Sequence, residues 1–209
     1  MYRSGRQVPW RGAAAGRPGG ALECTVMLGS TPKVGEAAPP LELPAADGSG
    51  RRALSDFRGR PVLVSFLGPA HCPFCRAHVI RTIQRRDEFA RLDAEVIMIG
   101  YEDPQDMTAM MLRNLDLPYL LLIDPSRDTH RRWGMGEATW RAWVRPGLYL
   151  AAVTSLLRRE EQFKAQPTPS QMTGDFVVRR DGRVAFAKVL KSFHDRASVS
   201  TLLSVIASA

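Results

Sequence analysis

Two cysteines separated by two residues are the part of this sequence best suited to chemistry. Cys72 and Cys75 lie in the run HCPFCR at 71–76. A thiolate is a nucleophile, and a second thiol three residues further along a helix lies on the same face, within reach of a disulfide. The spacing therefore indicates a dithiol that alternates between reduced and oxidised forms.

The flanking residues predict that the pair lies where a buried strand gives way to a helix. The apolar run 62–67 is typical of a buried strand, and residues 68–71 interrupt it. Pro73 suits the first turn of a helix, because the N–H that proline lacks has no helical partner there. Free backbone N–H groups and the helix dipole favour an anion at this position, so a lowered pKa is predicted for Cys72.

The two thiols are expected to have different roles. Cys72 is predicted to be the exposed nucleophile, and Cys75, one turn deeper, the resolving thiol that closes an internal disulfide. His71 and Arg76 are expected to add positive charge beside Cys72. His78 is interpreted as a surface residue of the helix, and His130 is assigned no role.

Other interpretations of the pair are two ordinary core thiols and a metal site built from His71, Cys72, Cys75 and His78. Both histidines are so close in sequence to the thiols that the four groups do not spread easily into a tetrahedron. The chain also has no second cysteine pair. Redox chemistry is favoured, and neither a metal nor another cofactor is expected.

The elements that position the pair are predicted to alternate between strands and helices. This order predicts an α/β fold of three layers, α/β/α, of the thioredoxin type, with an N-terminal hairpin and a helical insertion at about 128–171. Asp181 and Gly182 mark a late hairpin turn. The predicted elements are a hairpin at 41–54, strands at 62–67, 96–101 and 119–123, helices at 73–92 and 103–115, a hairpin at 176–189 and a final helix at 197–207.

Composition bounds the remaining possibilities. The chain has 209 residues and a net charge of +8. Residues 1–30 are rich in Gly, Ala and Arg without periodicity, which predicts a disordered tail or a start-site extension ahead of one domain at 31–209. No nucleic-acid motif accompanies the basic residues, so a solvated surface is expected.

Cysteine content and hydropathy indicate the compartment. The chain has three cysteines, the third being Cys24, and such a small and odd number argues against a secreted disulfide scaffold. The sequence has no run of about 18 apolar residues and no clear signal-peptide core, so neither a membrane span nor secretion is expected. A cytoplasmic protein is predicted.

Three segments resemble one known family. The run FLGPAHCPFCR at 66–76 resembles the active-site segment of peroxiredoxin-like proteins of the alkyl hydroperoxide reductase and thiol-specific antioxidant (AhpC/TSA) superfamily. The opening VGEAAP at 34–39 and the segment QMTGDFVV at 171–178 are similar to its entry and its late strand. The WGMG run at 133–136 also looks like this branch. The resemblance covers about residues 32–208 and implies a thioredoxin-like fold and antioxidant activity.

The site segment also departs from that family. Typical members carry Pro-x-x-x-Thr-x-x-Cys, whereas here Pro69 stands three residues before Cys72 without a threonine. Typical members place an arginine before the late strand, where this chain has Met172 and Thr173. Thioredoxins have a cis-proline in that neighbourhood. Thr173 is therefore predicted to be a supporting residue.

The resemblance and the dithiol together predict a thiol-dependent oxidoreductase. It is expected to reduce a peroxide or a disulfide through Cys72, form the Cys72–Cys75 disulfide, and be restored by a thioredoxin-type or low-molecular-weight thiol. The alternative is a non-catalytic thioredoxin-like domain that senses redox state or binds a partner. In that case the stretch 140–157, with Trp140 and Trp143, would form a partner or homodimer surface.

Overall fold

The computed structural model describes residues 29–70, 72–136, 171–190 and 195–209. A hairpin opens this part of the chain, and a five-stranded mixed sheet in the order β5-β4-β3-β6-β7 forms its centre. The strands are β1 (Glu42–Pro44), β2 (Arg51–Ala53), β3 (Val62–Phe66), β4 (Glu95–Gly100), β5 (Leu120–Ile123), β6 (Gly174–Val178) and β7 (Val184–Val189).

The described helices connect and cover these strands. They are α1 (Pro73–Gln84), α2 (Arg86–Arg91), α3 (Pro104–Met107), α4 (Asp128–Arg132) and α5 (Val199–Ala207), with a short 3₁₀ helix at Leu54–Phe57. The predicted continuous helix 73–92 is wrong in one respect: it breaks at Arg85, whose φ and ψ of −110° and 19° leave the helical region. The predicted helix 103–115 is likewise shorter, because α3 passes into a π-helical turn at Thr108–Arg113.

Strand β3 lies at the centre of the sheet and is buried on both faces. It pairs in parallel with β4 and antiparallel with β6. One face packs against α1, α2, α3 and α5 through Val79, Phe89, Met107 and Leu202. The other face packs against the hairpin and the end of α4 through Leu41, Leu43 and Trp133. The predicted α/β architecture is therefore confirmed.

The start of the predicted insertion is a tightly packed corner. Trp133 and Met135 are fully buried behind α4. Gly134 has a φ of +77°, and a Cβ atom there would lie 2.3 Å from the backbone nitrogen of Thr31. Only glycine fits both constraints. The predicted amphipathic stretch with Trp140 and Trp143 lies outside the described residues, as does the tail before residue 29.

The direction of the strands places the residues that can do chemistry at one edge of the sheet. Because β3, β4 and β5 are parallel, their carboxyl ends meet at the same edge of the sheet. Cys72 follows β3, Glu102 follows β4 and Asp124 follows β5. Within the ranges that the structure describes, no helix is long and apolar enough to cross a bilayer.

Candidate active site

The cysteine pair lies at the start of α1, as predicted. Cys72 is the residue immediately before the helix and is partly exposed, whereas Cys75 is 2% exposed. The turn that carries them is hydrogen-bonded: the N–H of Cys72 donates to the carbonyl of Pro69 at 2.9 Å, and the N–H of Ala70 donates to Glu102 Oε2 at 2.6 Å. Both thiols are free, so this is the reduced form of the site.

Three donors around the sulfur of Cys72 favour its thiolate. The Cys75 thiol donates a hydrogen bond to it, and the backbone N–H groups of Cys75 and Phe74 at the helix start donate as well. Together with the positive charge of Arg196 these outweigh burial and lower the pKa of Cys72 to about 6. A thiol with this pKa is mostly ionised at neutral pH.

The Cys75 thiol has the opposite character. Its hydrogen bond to Cys72, its burial and the negative charge on Cys72 raise the pKa of Cys75 well above its usual range. Arg196 and the N–H of Gly68, which donates to Cys75 Sγ at 3.3 Å, act in the other direction. At neutral pH the reduced pair therefore holds one thiolate on Cys72 and one proton on Cys75.

Gly68 lets the backbone approach the buried sulfur. A Cβ atom at Gly68 would lie 2.9 Å from Cys75 Sγ and 3.4 Å from Thr173 Cγ2. Thr173 is itself buried, and its carbonyl accepts a hydrogen bond from Leu190 N–H. The structure thus brings Thr173 next to the glycine that contacts Cys75, and its supporting role stays a prediction.

The structure gives fewer contacts for the other predicted supporting residues, Pro73, Arg76 and His71. Pro73 is the first residue of α1. The Nε atom of Arg76 is buried without a hydrogen-bond partner in the described part of the chain. His71 lies outside the described residues. Within the described ranges, no three His, Cys, Asp or Glu side chains have the arrangement of a metal site.

A group of polar side chains is buried beneath the pair, and we call it the Arg196 cluster: Ser65, His78, Asp175 and Arg196. Arg196 Nε donates to Asp175 Oδ2 at 3.0 Å, and its Nη2 donates to Asp175 Oδ1 at 2.9 Å. Nη2 also donates to Ser65 Oγ at 2.8 Å, and Ser65 Oγ donates to Asp175 Oδ1 at 2.8 Å. The side chain of Asp175 is 0% exposed and that of Arg196 10%.

Sheet register explains why these side chains meet. Ser65 of β3 and Asp175 of β6 are direct partners across the antiparallel pair. Side chains two residues apart share a face, so they continue the face on which Leu63 and Val177 pack into the apolar core. Arg196 reaches this face from the segment before α5.

His78 is buried at 4% exposure, so its interpretation as a surface residue is wrong. Its Nε2 atom lies 3.6 Å from Asp175 Oδ1 and has no hydrogen-bond partner among the described residues. Burial and the positive charge of Arg196 outweigh the Asp175 carboxylate and lower the pKa of His78 to about 4. His78 is therefore neutral at pH 7, and the contact with Asp175 is not an ion pair there.

His78 is expected to make the protein less stable in mild acid. In the unfolded chain the histidine has its ordinary pKa of about 6.5, so below that pH the unfolded state binds a proton that the folded state refuses. Stability is complete above pH ~6.5 and falls as the pH approaches 4. This loss is about 2 kcal/mol by pH 5, and His78→Gln should remove it. Urea unfolding of the wild type and of His78→Gln, at pH 5 and above pH ~6.5, tests this. An equal loss of stability in the variant would contradict it.

His130 lies in a second buried pair. Its Nδ1 is 2.7 Å from Asp124 Oδ2, and its ring packs edge-on against Phe66 at 4.9 Å. Burial opposes ionisation of Asp124, but the hydrogen bonds from His130 outweigh it and lower the pKa of that carboxyl. The pair ties α4 to the end of β5.

Comparison with known proteins identifies the family. The family model described as AhpC/TSA matches residues 34–187, which is most of the chain and includes both cysteines. The chain belongs to the AhpC/TSA family. The predicted resemblance is thus confirmed, and with it the thioredoxin-like fold of this family.

The individual AhpC/TSA relatives described next share less than a third of their aligned residues with this chain. A chloroplastic peroxiredoxin Q of Gentiana triflora is 31% identical over 104 residues, 49% of this chain and 48% of that protein. A Mycobacterium tuberculosis peroxiredoxin is 27% identical over 154 residues, 74% of this chain and 83% of that protein. The chain thus spans about half the length of the plant relatives it matches. The crystal structure of peroxidoxin BcpB from Mycobacterium tuberculosis has a TM-score of 0.62 at 18% identity, covering 85% of this chain and 97% of that one.

Proposed function

We propose that this AhpC/TSA protein is a thiol-dependent peroxidase that reduces a hydroperoxide through a Cys72–Cys75 dithiol. The observation that carries the proposal is the division of charge within the pair: a partly exposed thiolate on Cys72 and a buried protonated thiol on Cys75. Membership of a family with peroxiredoxin relatives supports the choice of oxidant.

The first step oxidises Cys72. Its thiolate attacks the terminal peroxide oxygen, the O–O bond breaks, and the leaving alkoxide or hydroxide takes a proton to become an alcohol or water. Cys72 becomes a sulfenic acid, and the peroxide gains the two electrons. We expect the N–H groups that stabilise the thiolate at the helix start to donate also to an oxygen bound to the same sulfur.

The second step closes the disulfide, and oxidation of Cys72 itself makes this step easier. Two of the causes that raise the pKa of Cys75 are its hydrogen bond to the Cys72 thiolate and the charge of that thiolate. Both disappear when Cys72 becomes a neutral sulfenic acid. Cys75 then loses its proton and attacks Cys72, and the sulfenic oxygen leaves as water.

The third step restores the dithiol. A thiol of a thioredoxin-type protein, or a low-molecular-weight thiol, attacks one sulfur of the disulfide and forms a mixed disulfide while the other cysteine leaves as a thiolate. A second donor thiol then attacks the mixed disulfide, so that the donor is oxidised to a disulfide and both cysteines are reduced. Cys72 is the sulfur open to attack, because Cys75 is buried. A reducing compartment such as the cytoplasm would supply such donors. A protein disulfide can replace the peroxide in the first step. The Cys72 thiolate then attacks one of its sulfurs and releases the other as a thiolate, and Cys75 displaces the second substrate thiolate as the Cys72–Cys75 disulfide forms.

Donor-coupled turnover tests the proposed function. Reduced protein is mixed with hydrogen peroxide, a lipid hydroperoxide or a protein disulfide, and consumption of NADPH is followed through thioredoxin and its reductase. We expect many turnovers with a hydroperoxide, and intact mass after one equivalent should show the loss of two hydrogens. Stoichiometric oxidation without turnover would instead identify a redox sensor, and thiols that stay free would contradict both.

A further inference from the structure

The charges of the Arg196 cluster lie where the fold does not need them. Ser65 and Asp175 continue a sheet face on which their neighbours Leu63 and Val177 belong to the apolar core, and Lys188 of β7 stands opposite Asp175 at its edge. Burying an ion pair costs desolvation, and apolar replacements of similar volume are often neutral or stabilising. A buried Asp–Arg pair therefore adds little net stability, and its position near the cysteines indicates another role.

Contacts connect Arg196 to the cysteines from the strand and from the helix. Its Nη2 atom donates to the carbonyl of Phe66 at 3.1 Å, and two residues further along, Gly68 donates its N–H to Cys75 Sγ at 3.3 Å. His78, one turn after Cys75 on α1, contacts Asp175 at 3.6 Å. The guanidinium is thus fixed by the end of β3 and by Asp175 of β6, and α1 approaches the same carboxylate through His78.

The charge of Arg196 reaches both sulfurs. It lowers the pKa of Cys72 and that of Cys75, and both thiols in turn help to raise the pKa of Arg196. The sequence had suggested His71 and Arg76 as the cations of the site. Arg196 lies far away in sequence, and no local motif marks it.

We propose that Arg196 is a positioning residue of the redox site: a fixed cation, held by Asp175 and Ser65, that favours the thiolate on Cys72 before oxidation and on Cys75 after it. The inference rests on the proposed function, in which the two thiols ionise in turn. Typical members of the family place an arginine just before the late strand, a position that Met172 and Thr173 occupy in this chain. Arg196 is not at that position, because it lies in the segment before α5.

The groups around Arg196 leave the titration of Cys72 easy to interpret. Among the described residues, the charged and titratable side chains around the cluster are Asp175 on β6, Lys188 opposite it on β7 and bonded to Asp195 at 2.9 Å, His78 and Arg81 on α1, and the two thiols. His78 has a pKa of about 4 and is already neutral at the pH values at which Cys72 titrates. Burial opposes ionisation of Asp175, but the charge of Arg196 and the hydrogen bonds from Arg196 and Ser65 outweigh it, so Asp175 remains ionised there.

Alkylation of the reduced protein tests this role without oxidant or donor. The rate of reaction with iodoacetamide is measured across about pH 4–9. We expect a midpoint near 6 in the wild type. The double variant Arg196→Gln with Asp175→Asn removes both charges and keeps two amides that can pair, and its midpoint should rise by about one unit, a tenfold loss of thiolate at low pH. Arg196→Lys, which retains the cation, should stay within about half a unit.

A matched control removes an exposed pair from the same chain. Arg60 and Asp93 are bonded at 3.0 Å with side chains 42% and 61% exposed, near the start of β3. Arg60→Met with Asp93→Asn should leave the midpoint unchanged. If the Gln/Asn variant fails to fold, Arg196→Met with Asp175→Leu offers an apolar replacement of the same pair.

Two results would overturn the proposal. One is a folded double variant with the wild-type midpoint, and the other is an Arg196→Lys midpoint that moves as far as that of the double variant. The titration also separates this proposal from the proposed function. A protein that never turns over could still show the Arg196 effect, and an active enzyme could lack it.

Discussion

Replacing Cys72 by serine is expected to abolish peroxide-dependent turnover, with a loss on the order of 10³-fold or more. Serine keeps the size and the position at the start of α1, but its hydroxyl is not ionised at neutral pH and cannot take the oxygen from a peroxide. Intact mass should then show no loss of two hydrogens after peroxide treatment.

Replacing Cys75 by serine should separate the two steps of the reaction. Cys72 can still be oxidised, but no thiol is present to displace the sulfenic oxygen, so one equivalent of peroxide is consumed and a sulfenic acid remains. A sulfenic-acid reagent such as dimedone should label Cys72 in this variant. Turnover with thioredoxin should fall strongly, unless an external thiol resolves the sulfenic acid directly.

Comparison with Cys75→Ala extends this test to the electrostatics of the pair. The largest cause of the low pKa of Cys72 is the hydrogen bond that Cys75 donates. Serine keeps an O–H donor at that position and alanine does not, so the pKa of Cys72 should be higher in the alanine variant. An unreactive Cys72 in both variants, with a folded protein, would contradict the assignment of Cys72 as nucleophile.

Local sequence patterns were sufficient to predict the thiol pair and its setting. Val62 to Phe66 is a run of apolar residues apart from Ser65, and Pro73 marks the first turn of the next helix. These signals are short-range, so the strand-to-helix position of Cys72 and the depth of Cys75 both follow from them. The break at Arg85 was not predicted, because apolar spacing continues through it to Phe89.

The Arg196 cluster could not be assembled from sequence in the same way. Ser65 and Asp175 are 110 residues apart along the chain and meet only through the register of β3 and β6. Asp175 was a visible signal, since an acidic residue inside the apolar strand GDFVV requires a buried partner. Arg196 has no comparable local signal. The prediction that His78 lies on the surface of α1 failed for the same reason, because Asp175, which packs against it, is distant in sequence.

Asp175→Asn alone is expected to destabilise the protein by about 3–5 kcal/mol. The substitution leaves Arg196 buried and charged beside a neutral amide, so the cost is that of an uncompensated cation rather than of one hydrogen bond. This amount is a large part of the roughly 5–15 kcal/mol that stabilises an ordinary domain. Urea unfolding at pH 7 measures it.

The double variant and the exposed pair give this prediction its controls. Arg196→Gln with Asp175→Asn removes the orphaned charge and should recover much of the stability lost in Asp175→Asn. Asp93→Asn breaks the exposed pair with Arg60, 61% exposed on the Asp93 side, and should cost only about 0–1 kcal/mol. A double variant as unstable as Asp175→Asn would show that the charge balance of the cluster is not what matters.

Acid should also weaken the Asp175–Arg196 pair, in a lower pH range than the loss of stability assigned to His78. The folded protein lowers the pKa of Asp175 although burial opposes this, because Arg196, His78 and the hydrogen bonds outweigh burial. A carboxyl with a depressed folded pKa contributes stability above its unfolded pKa of about 3.9, and this stability is lost as the pH falls through the folded value. The wild type should therefore lose stability again below pH ~4, and the Gln/Asn variant, which has no Asp175 carboxylate to protonate, should lose less in that range. If both lost equal stability there, the acid sensitivity would have to come from other carboxylates, and the charge of Asp175 would not be coupled to folding.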